Sequence, residues 1–154
     1  MDTMDRPLVV YDDDNTELLA EAGKLAGGVD ATLTILSLMT ADEFREAREA
    51  LDVVAKEEQT SYDDSVVIDG ARRQASDTAE EVLADVDVDW QVVGARIGDG
   101  ESEADRILDV ASDNDIDHVF ITGQKRSPTG KAVFGDRVQS IILNFDGPVT
   151  SLLA

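Results

Sequence analysis

Short apolar runs rich in Leu, Ile and Val alternate along this chain with stretches of helical periodicity, and that alternation limits the fold more than any other property. The apolar runs lie at residues 8–11, 31–39, 88–97, 118–122 and 149–153. Their β-branched content and partial two-residue alternation predict strands. After the first run, Leu18, Leu19, Ala22, Leu25 and Ala26 fall on one helical face. After the second, Thr40 with Glu43 three residues on has the spacing of a capping box. Two apolar stripes follow it: Phe44, Ala47, Leu51, Val54 and Ala55, then Ile68, Ala71, Ala75, Ala79 and Val82. Ala104, Ile107, Leu108 and Ala111 make a further helical face, and Val138, Ile141, Ile142 and Phe145 a last one.

The predicted order is therefore β-α-β-α-α-β-α-β-α-β. Strands alternating with helices imply an α/β fold, with a parallel sheet of five strands covered by helices on both faces. Right-handed crossovers leave few topologies. In such sheets ligands sit beyond the carboxyl ends of the strands, where the strand order reverses. If the first and fourth strands are neighbours at that point, Asp12 and the loop after Gly123 face one crevice.

That loop carries its own signal. It holds Gly123, Gly130 and Gly135 together with Ser127 and Thr129, between a buried strand and a helix start. Glycines let backbone N–H groups approach a ligand, and the unpaired N–H groups of a first helical turn favour an anion. The chain has 13 Lys and Arg against 34 Asp and Glu, a net charge of −21. Yet Lys125, Arg126, Lys131 and Arg137 gather here beside a single anion, Asp136. An anionic ligand is repelled by most of the remaining surface, so this patch is the expected anion seat.

The rest of the composition bounds the answer. At 154 residues and 42% apolar content, one domain over 1–154 with a real core is expected. The acidity argues against nucleic acid as a partner. There is no cysteine, hence no disulfide framework and no thiolate metal site. No signal-peptide core follows Met1, and no apolar run nears the roughly 20 residues of a membrane helix. A cytoplasmic protein is expected. Carboxylates spread over every segment predict adaptation to high salt, which screens such a surface. Asp12, Asp13 and Asp14 have the chemistry to ligate Mg²⁺, but a helix cap and a solvated face are the preferred reading of Asp13 and Asp14, and no metal site is assigned. His118, the single histidine, is read as structural, and Trp90 and Phe120 as core. No general base stands beside the glycine loop, so no catalytic residue is assigned and an enzyme is not expected.

These residues resemble the universal stress protein (UspA-like) family, in a haloarchaeal-type acidic form. The resemblance spans the chain: a first strand ending in Asp12, a second ending near Leu36, Ser37 and Leu38, the run A-S-D-N-D-I-D-H-V-F-I-T-G, and a glycine loop feeding a helix. It implies a Rossmann-like sheet of order 3-2-1-4-5 and a homodimer built through 149–153. It also implies a stress-response protein that binds ATP or another adenine nucleotide, with or without Mg²⁺. Val10, Tyr11, Asp12 and Leu38 would line the base pocket, and Thr122 and Gly123 would flank ribose and phosphate. Arg126 and Gly130 would belong to the loop. Gly135, Asp136, Arg137 and Val138 would form the phosphate-facing helix start.

The nucleotide-binding members carry G-x2-G-x9-G-[S/T] at this point, and the chain departs from it. Lys125 or Arg126 replaces the second glycine, the loop is one residue shorter, and Asp136 replaces the hydroxyl residue. Asp13 and Asp14 add two anions to the mouth. A like charge about 5 Å from phosphate costs on the order of 3 kcal/mol at an effective dielectric near 20. The alternative is thus an interaction protein of the same fold that no longer binds nucleotide and works through its dimer surface.

Overall fold

The computed structural model describes residues 4–123 and 135–153. Ten elements follow one another: β1 (Pro7–Val10), α1 (Glu17–Gly28), β2 (Thr32–Met39), α2 (Ala41–Glu57), α3 (Asp64–Val82), β3 (Asp89–Arg96), α4 (Glu103–Asp113), β4 (His118–Gly123), α5 (Asp136–Asn144) and β5 (Val149–Leu153). The five strands form one sheet in the order β3-β2-β1-β4-β5, and every pairing is parallel. The predicted α/β fold and strand order are those observed.

The apolar runs are continuous because the sheet is buried on both faces. Leu8 and Val10 of β1 point to one side, where Val119 and Ile121 of β4 meet Ile107 of α4 and Val138 and Ile141 of α5. Val9 and Phe120 point to the other, against Leu18, Leu19 and Ala22 of α1 and Ala79 of α3. A smaller cluster of Met39, Phe44 and Val67 fastens α2 to α3 at the carboxyl end of β2.

Local chemistry sets several boundaries. Thr40 Oγ1 accepts from the Glu43 amide at 3.1 Å, and Glu43 Oε1 accepts from the Thr40 amide at 3.1 Å, which completes the expected capping box. Ser102 caps α4 by accepting from the Asp105 amide. The Asp117 carboxylate accepts the amides of Asp5 and Arg6 and ties the amino-terminal segment to the entrance of β4.

Two predicted details are corrected, and a third lies outside the described residues. Asp13 and Asp14 are exposed but cap nothing: the N-cap of α1 is Thr16, and the Asp12 carboxylate accepts instead from the Asp14 amide within a turn. Leu25, Val54 and Ile142, expected in apolar stripes, are 49%, 44% and 50% exposed. Each sits at the margin of its stripe, because a helix advances by about 100° per residue and only a narrow arc meets the element it packs on. The loop residues Lys125, Arg126, Gly130 and Lys131 lie outside the described residues.

Candidate functional site

β1 has β2 on one side and β4 on the other, so successive crossovers diverge there and leave a gap above the strand ends. A cleft of about 600 Å³ fills the gap. Asp12, just past β1, forms one wall, and Thr122 and Gly123 at the end of β4 form the floor. Gly135, Asp136, Arg137 and Ser140 line it from α5, and Ser102, Glu103 and Ala104 from the start of α4. A second cleft of about 310 Å³ adjoins it and is lined by Val10, Tyr11, Asp12, Leu38, Thr40 and Gln74 among others. Asp12, Glu103 and Arg137 line both.

The sequence-predicted residues separate into these two spaces. The four assigned to a base pocket, Val10, Tyr11, Asp12 and Leu38, are together in the smaller cleft. Tyr11 is held there by a 3.2 Å hydrogen bond between its hydroxyl and Thr78 Oγ1. Thr122, Gly123, Gly135, Asp136 and Arg137 share the larger cleft. Val138 does not present its side chain: it is fully buried beneath α5. Only its backbone amide belongs to the first helical turn, whose N–H groups lack helical partners. Arg126 and Gly130 lie outside the described residues.

Gly135 is the N-cap of α5 with φ of 85° and ψ of 157°, a backbone state in which a side chain would be strained. It contributes no capping side chain, so the α5 amides are left for another acceptor. The hydroxyl of Thr122 is buried with no hydrogen-bond partner among the described residues.

Arg137 lines the cleft, and its guanidinium has partners there. Read as a cation presented to phosphate, its guanidinium is already engaged on two edges. Nη1 donates to Glu103 Oε1 at 2.5 Å, and Nη2 donates to the carbonyl oxygen of Thr122 at 3.0 Å. The two side chains are 30% and 34% exposed. Glu103, Ser102 and Ser140 went unnoticed in the sequence. The available signal was positional: the turn at 98–100 follows β3, and all loops after parallel strands gather at one edge of the sheet.

The carboxylates of Asp12, Asp13 and Asp14 have ligand atoms within 4.8 Å of one another, a spacing that a hard divalent cation spans. His118 lies at the opposite end of β4. Its Nε2 is 2.8 Å from Thr150 Oγ1, and its ring stacks on Phe120 with centroids 4.5 Å apart. Burial pushes its pKa below the ordinary 6.5, against a weaker upward pull from Asp117.

A doubly wound parallel sheet with a two-chambered cleft at its switch point defines a Rossmann-like α/β protein. The chain belongs to the universal stress protein family, whose family model matches residues 4–151. It is similar to the universal stress protein UspA from Lactobacillus plantarum, with 17% identity, a TM-score of 0.67 and 99% of each chain covered. A universal stress protein in complex with cAMP is 15% identical with a TM-score of 0.61, over 99% of this chain and 98% of that one. One from Archaeoglobus fulgidus in complex with dAMP is 14% identical with a TM-score of 0.57, over 98% of each. No curated protein sequence matches the chain. Among the described residues, no helix is long and apolar enough to cross a membrane.

Proposed function

We propose that this protein holds ATP or a related adenine nucleotide in the cleft between β1 and β4, acts in the stress response through that bound state, and turns the nucleotide over slowly or not at all. The observation that carries this reading is the placement of Asp12, Thr122, Gly123 and the start of α5 around one cavity at the strand-order reversal. The cAMP and dAMP complexes of similarly folded family members support it. The base would occupy the smaller chamber and phosphate the larger. Mg²⁺ would bridge phosphate and the acidic mouth, where Asp12 lines the larger cleft and groups with Asp13 and Asp14. The protein would act as a cytoplasmic homodimer joined through β5, whose outer edge has no strand partner among the described residues. The charge of −21 suggests a salt-rich cell of haloarchaeal type.

A second reading is favoured by the acidic lining: Arg137 is paired with Glu103, and Asp136 stands at the α5 start. Here the fold no longer binds nucleotide and acts through its dimer surface. Isothermal titration with AMP, cAMP and ATP, with and without Mg²⁺ in molar KCl, separates the two. Measurable heat and a raised Tm are expected. No heat and no Tm shift at millimolar nucleotide would remove the first reading and leave the second.

A further inference from the structure

We propose that Glu103 is an internal competitor for the ligand's phosphate: its carboxylate holds Arg137 until a nucleoside phosphate displaces it, and so it sets the affinity of the cleft. This rests on the nucleotide reading above.

The geometry divides the guanidinium into a fixed edge and an exchangeable one. The Nη2 edge is anchored to the Thr122 carbonyl at 3.0 Å, on the backbone of a central strand. The Nη1 edge is closed by Glu103, a side chain from another helix 34 residues upstream. A guanidinium offers carboxylate and phosphate oxygens the same planar donors, so the two compete directly. Among the described residues lining the larger cleft, Arg137 is the single cation, against Asp12, Glu103 and Asp136. A phosphate arriving there finds the one cation among these described residues occupied and a like charge at that position.

Displacement does not require the site to be rebuilt. Glu103 is the first residue of α4, where a carboxylate is favourable without Arg137 because of the unpaired amides of the first turn. The carboxylate can therefore swing away while Arg137 stays on Thr122. The uncapped start of α5 supplies neutral N–H donors beside the exposed Nη1 edge. The ligand class that meets this set is a nucleoside phosphate whose phosphate oxygens reach one guanidinium edge and a ring of neutral donors.

Glu103→Gln keeps the shape and removes the charge. AMP is titrated into wild type and E103Q at low and at molar KCl, with Glu103→Ala as a second variant and thermal melts to verify folding. E103Q is expected to bind AMP about tenfold more tightly at low salt, with a smaller ratio in molar KCl. The Arg137 side-chain NMR signals of wild type should move on AMP binding toward those of E103Q with AMP. Equal or weaker binding by E103Q and E103A, with wild type binding measurably, overturns this proposal and leaves the nucleotide reading standing. Absence of binding in every variant overturns both.

Discussion

Arg137 donates to the carbonyl oxygen of Thr122 across 3.0 Å, a contact that joins the first turn of α5 to the end of β4. The same guanidinium reaches α4 through Glu103. One side chain thus links three elements whose ends frame the larger cleft.

Replacing it should therefore cost stability as well as binding. Arg137→Gln removes the tie from α5 to the Thr122 carbonyl and to Glu103 and should lower unfolding free energy by about 1 kcal/mol. Arg137→Lys should recover part of this, because an ammonium group cannot reach both partners as a planar fork does. Urea unfolding of the three proteins at fixed KCl checks the order wild type, Lys, Gln.

Asp136 faces the larger cleft at the first position of α5. A carboxylate there favours the helix but repels phosphate. Asp136→Ser should strengthen AMP binding several-fold at low salt, and the gain should shrink in molar KCl as screening weakens the repulsion. Calorimetric titration of both proteins at two salt concentrations reads it out. Equal affinities at low salt would show that Asp136 does not oppose the ligand.

His118 predicts a direction of pH dependence. Its folded pKa lies below the ordinary 6.5 because burial disfavours the imidazolium. As pH falls through 6.5 the unfolded chain takes up the proton first. The contribution to stability is thus complete above that pH and is lost progressively below it, down to the folded pKa. His118→Phe keeps the stack on Phe120 and should flatten the urea midpoint between about pH 7 and 5.5.

Gly27 and Gly28 end α1 together yet should respond oppositely. A Cβ on Gly27 would stand 2.5 Å from the backbone carbonyl oxygen of Asp87, whereas one on Gly28 meets nothing within 4 Å. A backbone oxygen cannot rotate away, so Gly27→Ala should cost about 1–3 kcal/mol through forced displacement. Gly28→Ala should be neutral or stabilising, since alanine loses less backbone entropy. Thermal melts of the pair suffice to compare them.

The sheet was legible because its signals are local and repeat. Runs such as 31–39 carry no charged side chain and are buried at most positions, and the spacing of Thr40 and Glu43 completes a cap within four residues. The grouping in the smaller chamber was also legible, since Val10, Tyr11 and Asp12 follow one strand and Leu38 ends its neighbour. The electrostatics of the larger chamber were not. Glu103 meets Arg137 only because β3 and β4 deliver their following loops to the same edge of the sheet, and no short spacing records that. The burial of Val138 was foreseen in the helical stripe, but the same stripe conflicts with presenting its side chain to a ligand.

Asp12, Glu103 and Arg137 border both chambers, so they act as a shared partition. Any change of charge in this trio is felt on both sides at once, and neither half can be retuned alone through it. Divergence in what the two halves accept must come from residues seen by one chamber only. Tyr11 and Leu38 are such positions on one side, and Asp136 and Ser140 on the other.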